Sequence, residues 1–171
     1  FDNHGEDTED IISHYTEKYN IVRGVINTNE AYTELWANLI NCYLVSKKLG
    51  GDEETFYDLV LLEKLFCMFQ CHKIIYHTKM DDKNKIDINK RTNVLSYYII
   101  RSELYERLSE FLEYCRKYNT NYLHLENTKT WLVFLRKNTK IKKKNRRFNK
   151  MNKKDKIYKT LRMTAIELKG F

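Results

Sequence analysis

Apolar positions recur at three- and four-residue intervals over most of this chain, the period of helices that bury one face. In "TEDIISHYTEKY", Thr8 is placed to cap a first helix. Glu9 and Asp10 complement its N-terminal dipole, and Ile11, Ile12 and Tyr15 form its apolar side. In "NTNEAYTELWANLINCYLVSKKLGG", Asn29 is the expected cap, and Tyr32, Leu35, Trp36, Leu39 and Tyr43 fall on one stripe. Lys47 and Lys48 suit the C-terminal dipole, and Gly50 is free to take the left-handed conformation that ends a helix. From Asp52, "DEETFYDLVLLEKLFCMFQCHKIIYHTKM" is apolar on most of its circumference (Phe56, Leu59, Val60, Leu62, Leu65, Phe66, Phe69, Ile74, Ile75), which predicts a central, buried helix over 52–80.

The pattern then lapses. "DDKNKIDINKRTN" (81–93) is polar, with turn-forming Asp and Asn, and predicts a mobile connection. "NVLSYYIIRSELYERLSEFLEYCRKY" restarts the helical period with Tyr97, Leu104, Leu108, Phe111, Leu112 and Cys115 on one stripe. Glu103 and Arg107 are placed outside it as an i,i+4 pair. After a turn rich in Tyr and Asn, Trp131, Val133, Phe134 and Leu135 begin another helix. The sum is an all-α protein, a bundle of four to five main helices with a long basic C-terminal helix. Residues 1–7 form a flexible N-terminus and 8–171 a single helical-bundle domain that includes the basic segment 136–162.

Composition agrees with long helices. At 171 residues the chain can bury one sizeable core. It has no proline, where average usage of roughly 5% would give about eight, and only five glycines. The longest apolar runs, 65–69 and 131–135, are far shorter than the roughly 20 residues of a membrane span. The sequence opens at Phe1 without an apolar signal region and reads as a fragment or a processed form.

Charge is the most uneven property. Residues 136–162 hold 14 Lys or Arg and one acid, Asp155, a net +13. The whole chain is +8 and residues 163–171 balance at zero, so the first 135 residues carry −5, the difference between +8 and +13. On a helix, Ile141, Phe148, Met151, Tyr158, Leu161, Ala165 and Leu168 form a narrow apolar seam flanked by Lys142, Lys143, Lys144, Arg146, Arg147, Lys150, Lys153 and Lys154. Four like-charge i,i+4 pairs in this segment oppose helix formation by roughly 1–2 kcal/mol in total, strain that an anionic partner relieves. The readings open for this face are a solvated surface, an acidic protein segment or cytoskeletal protein, a nucleic acid, and an anionic membrane surface. Phe148 and Tyr158 lie in the seam rather than free for base stacking, no nucleic-acid-binding signature is visible, and the seam is thin for a membrane helix. The acidic protein partner is therefore the expected one, with nucleic-acid binding by the same face as the alternative. A helical subunit completed by another chain is a third possibility and would show as exposed aromatics.

Candidate chemistry is sparse. Cys67 and Cys71, at i,i+4, with His72 and His77 nearby, have metal-ligating residue types. His72 points roughly 100° away from Cys71 on a helix, however, and no second Cys/His pair has familiar spacing. With Cys42 and Cys115 on apolar faces, the four cysteines read as small buried residues of a protein in a reducing compartment. Asp52, Glu53 and Glu54 read as a helix N-terminus, and His4, His14, His72, His77 and His124 are scattered. No phosphate-binding glycine loop, nucleophile elbow or HExxH motif occurs, so no catalytic residue, cofactor or metal site is expected and the chain reads as non-enzymatic. Partner identity and oligomeric state are not encoded in these patterns.

The Lys-, Asn- and Tyr-rich texture of "NKMNKKDKIYK", "KYNTNYLHLENTK" and "DDKNKIDINK", with tryptophans set in helices at "YTELWANL" (Trp36) and "TKTWLVFL" (Trp131), is similar to the PHIST family of exported malaria-parasite proteins. That resemblance implies a three- to four-helix bundle, exported into the host-cell cytoplasm, that docks acidic cytoplasmic tails or cytoskeletal proteins. From the residues themselves, Trp36 and Trp131 are core positions.

Overall fold

A computed structural model describes residues 7–80, 85–87, 93–137, 157 and 160–166. The protein is an all-α helical bundle. Its elements are α1 (Glu9–Tyr19), β1 (Ile21–Arg23), α2 (Thr28–Lys48), α3 (Glu53–Thr78), β2 (Lys79–Met80), β3 (Lys85–Asp87), a π-helical segment (Leu95–Ile100) that runs into α4 (Arg101–Glu106), α5 (Leu108–Tyr118) and α6 (Thr128–Arg136).

Local chemistry explains most boundaries. Thr8 precedes α1 as expected but its side chain makes no capping bond. The cap of α2 is Asn27, two residues earlier than expected, because its carboxamide oxygen accepts from the Glu30 N–H at 3.1 Å, which leaves Asn29 buried inside the helix. Asp52 caps α3, accepting from the Thr55 N–H at 3.0 Å and from the Thr55 hydroxyl at 3.1 Å. The α2–α3 turn depends on Gly50, at φ +67°, whose N–H donates to the Lys47 carbonyl at 3.1 Å. Space is open around this residue, so a Gly50→Ala variant meets only the left-handed backbone penalty. It is expected to lose about 1 kcal/mol in a urea titration.

Two expected elements differ. The 81–93 connection carries β3, which pairs in parallel with β1 (Ile21 opposite Ile86) and antiparallel with β2 (Met80 opposite Lys85), a minimal sheet in the order β1-β3-β2. The single helix expected from residue 94 onward is interrupted at Arg107, which leaves helical geometry at φ −116° and ψ 35°. Its guanidinium donates to the Phe134 carbonyl at 2.9 Å and to Glu110 at 2.5 and 3.0 Å, so its partners lie on α5 and α6 and the expected pair with Glu103 does not form.

The core joins all six α-helices. Trp131 is fully buried, stacked on Phe134 at 5.2 Å between ring centroids and edge-on to Tyr32 at 5.7 Å, with Phe111 and Tyr114 closing the cluster. Trp36 is partly buried against Phe111. The Trp131 indole Nε1 donates to the Thr28 hydroxyl at 2.9 Å, and that hydroxyl and the Thr28 N–H donate to the Asp7 carboxylate at 2.5 and 2.6 Å. Asp7, at the edge of the stretch expected to be flexible, is thus docked to the start of α2.

A second polar centre lies between α1 and α4. Glu103, expected on the solvent side, is buried. It accepts from the Tyr15 hydroxyl at 3.1 Å and from the Tyr19 hydroxyl, and Lys18 Nζ lies 2.6 Å from its Oε1. Burial raises its carboxyl above the usual range, while Lys18 and the two hydroxyls pull it back.

Candidate functional site

The residues assigned to the basic face, Lys142, Lys143, Lys144, Arg146, Arg147, Lys150, Lys153 and Lys154, lie outside the described residues. The structure describes what stands on either side of them. Upstream, α6 ends at Arg136 with Lys137 as its cap. Downstream, 160–166 form irregular chain, here termed the strap, so Leu161 and Ala165 are not part of a helical seam.

On the upstream side, α5 and α6 enclose a groove of about 390 Å³. Tyr114, Tyr118 and Phe134 supply its aromatic surface, and Lys117, Lys129 and Lys137 its cations. Of its acids, Glu110 is held by Arg107, which also lies over the Phe134 ring at 4.4 Å. That pairing keeps the Glu110 carboxyl below the usual range. Lys117 Nζ sits 5.1 Å from the centroid of the Tyr118 ring. This arrangement suits a carboxylate-bearing chain, with cations at the rim and flat apolar contact beneath. Lys137, in this rim, adjoins the segment that carries the basic face.

On the downstream side the bundle holds the strap through buried polar side chains. Glu63, fully buried on α3, accepts from the Ile166 N–H at 2.9 Å, from the Ala165 N–H at 3.2 Å and from the Thr164 hydroxyl. Arg101, fully buried on α4, donates Nη2 to the Met163 carbonyl at 2.7 Å. Lys73 donates to the Ile157 carbonyl at 2.8 Å and to the Thr160 carbonyl, and Asn41 of α2 donates to the Ile166 carbonyl at 3.2 Å. Apart from the Thr164 hydroxyl, every one of these bonds goes to main chain. Sequence reasoning missed these residues because charges on a helix are read as solvent-facing. The available signal was a polar row, Glu63, Gln70 and Lys73, on the side of α3 that also carries Cys67 and Cys71.

The cysteines are free and buried. Burial raises each thiol, and with the Glu63 charge it pushes Cys42 up to about 12, so none is a ready nucleophile. His72 is tied to its own helix, with Nδ1 2.7 Å from the Met68 carbonyl oxygen. Among the described residues no three His, Cys, Asp or Glu side chains are grouped to hold a metal, and no described helix is long and apolar enough to cross a membrane.

The central helix is not buried all round. Tyr57, Leu61 and Leu65, one turn apart on α3, are 59%, 52% and 55% exposed, and Ile40, Tyr43 and Leu44 of α2 are exposed as well. Neither a protein-family model, nor a curated protein, nor a solved structure matches the chain.

Proposed function

We propose that this protein is a non-enzymatic interaction module that docks an acidic segment of a partner protein. The surface is basic, made of the α5–α6 groove and the 136–162 segment that continues from its rim. The observation that carries this reading is the conjunction of Lys117, Lys129 and Lys137 around an aromatic floor with a net +13 in the adjoining segment. A cationic rim steers an acidic chain to one face, and buried aromatic contacts give the specificity that charge alone lacks. The similarity to exported helical proteins supports the same partner class, acidic cytoplasmic tails or cytoskeletal proteins.

The test is a proximity pull-down from native cells with three versions of the chain. These are wild type, a variant with Lys143, Arg146, Arg147 and Lys150 changed to Glu, and a variant with Lys117 and Lys129 changed to Glu. A nuclease-treated arm runs in parallel. A defined protein set that survives nuclease and is lost from both variants is the expected result. Loss on nuclease assigns the surface to nucleic acid, for which in vitro affinity falls with salt at a slope of about −0.9 per neutralised duplex phosphate. An unchanged protein set in both variants overturns the proposal.

A further inference from the structure

The outward side of α3 is apolar, where a helix at the surface of a finished bundle is polar. Tyr57, Leu61, Leu62 and Leu65 are exposed along it, and the half-buried Met68 and Phe69 extend the same side. Asp58, Leu61, Leu65, Met68 and His72 follow one another at alternating intervals of three and four residues, the spacing of a seam that packs against another helix. The side of α3 that faces the bundle already has its partners, since Val60, Cys67, Cys71 and Ile74 lie in the core. The seam is thus a second apolar side on one helix. On α2, Ile40, Tyr43 and Leu44 widen it. The Tyr43 ring meets Phe56 edge-on at 6.4 Å and Phe56 lies 5.6 Å from Tyr57, so the two helices present one continuous surface. Tyr43 and Tyr57 are the exposed aromatics expected of a subunit that another chain completes.

Size and charge say what covers this surface. Its seven large apolar side chains, each 43–59% exposed, open an area on the order of 600 Å². That is the top of the range for monomers, and most of the roughly 800 Å² that each partner gives to a stable interface. The seam is also polarised along its length, with Glu54 and Asp58 towards the start of α3, and Lys64 and His72 further on. A surface acidic at one end and basic at the other complements itself when turned end for end. About a two-fold axis between Leu61 and Leu65, two antiparallel copies of α3 set Leu61 against Leu65 of the second copy. Glu54 then stands opposite the second copy's His72, and Asp58 lies within one turn of its Lys64 and His72. Parallel pairing would instead set Glu54 and Asp58 against themselves.

We infer that the α2–α3 face is the contact between two copies of this chain, paired antiparallel through α3. Leu61 and Leu65 form its centre, where water is most fully excluded and truncation costs most. Tyr57, Leu62 and Phe69 flank them, Ile40, Tyr43 and Leu44 of α2 close the edge, and the charges of Glu54, Asp58, Lys64 and His72 set the direction of pairing. None of these residues belongs to the α5–α6 groove or to the 136–162 segment. The dimer therefore stands or falls independently of what the basic surface binds.

The test is sedimentation equilibrium on the full chain at about 1–100 μM, the range in which micromolar association is read. Wild type is expected to reach the mass of two chains. A variant carrying Leu61→Glu and Leu65→Glu should remain a monomer, its dissociation constant raised at least about 100-fold. Both leucines are exposed in the single chain, so this variant should keep the wild-type far-UV circular dichroism spectrum. Leu123→Glu, at a position 53% exposed in the turn between α5 and α6, controls for lost surface hydrophobicity and should dimerise like wild type. Glu54→Gln with Asp58→Asn should weaken the antiparallel dimer about fivefold, whereas a parallel one would tighten. The inference is overturned by a wild type that is monomeric at every concentration, by dimers that survive the two leucine changes, by equal loss in Leu123→Glu, or by tightening when the acids are neutralised.

Discussion

Replacing Glu103 with alanine is expected to remove about 3–5 kcal/mol of folding stability, the usual cost of taking one partner from a buried ion pair. The carboxylate is the single acceptor on which Tyr15, Tyr19 and Lys18 converge, and Lys18 is almost wholly enclosed beside it. Without it an ammonium and two hydroxyls are left inside the interface that fastens α1 to α4. Domains are stable by only about 5–15 kcal/mol in total, so urea titration should find the variant close to unfolding. A midpoint shift worth less than about 1 kcal/mol would place Glu103 among surface residues, against its burial. Glu103 also sets a pH dependence of unusual sign. Its carboxyl is raised in the folded chain, chiefly by desolvation, so the native state binds this proton more readily than the unfolded state does. Relative to a Glu103→Gln variant, wild type should gain stability as pH falls from the raised value towards the ordinary carboxylate range. It should lose that gain as pH rises back through the same window. Paired urea titrations between about pH 4 and 7 read the difference, and a gap that narrows on acidification would contradict it.

Trp131→Ala is the second large expected effect, about 3–5 kcal/mol. The indole touches Tyr32, Phe111, Tyr114 and Phe134, so truncation opens a cavity among rings that cannot collapse without leaving their own rotamers. It also breaks the path from the indole through the Thr28 hydroxyl to Asp7, which ties α6 to the start of α2. For a chain of this size the melting temperature should fall by roughly 6–20 °C. Trp131→Phe keeps most of the ring packing and loses the indole donor, for an expected cost of about 1 kcal/mol. If the phenylalanine variant were as unstable as alanine, the hydrogen-bonded path rather than the ring cluster would dominate.

The helical architecture was legible because the apolar period and the missing proline both reflect the physics that builds helices. Asp52 and Gly50 were correctly placed at helix ends for the same reason, since a cap is a local event. What the sequence concealed was decided by contacts between distant residues. Glu63, Arg101 and Glu103 interrupt apolar stripes and look solvent-facing until the tertiary structure supplies their partners. The break at Arg107 has no proline or glycine to mark it, and the residue's guanidinium reaches a carbonyl on α6 that lies 27 positions further along the chain. Strands of two and three residues are too short to show alternation. Of the expected candidate site, the sequence shows the charge and the structure describes its two flanks.

The strap also has a place in time. Its partners are separated from it by 62 to 125 positions along the chain, and a ribosome adding about 5–20 residues per second makes Arg101 roughly 3–12 s before the strap. For that interval every newly made molecule carries Glu63 and Arg101 without their eventual partners. Completion of the bundle therefore waits on this late-made segment, and until it arrives the side chains that will be buried beneath it stand open to water.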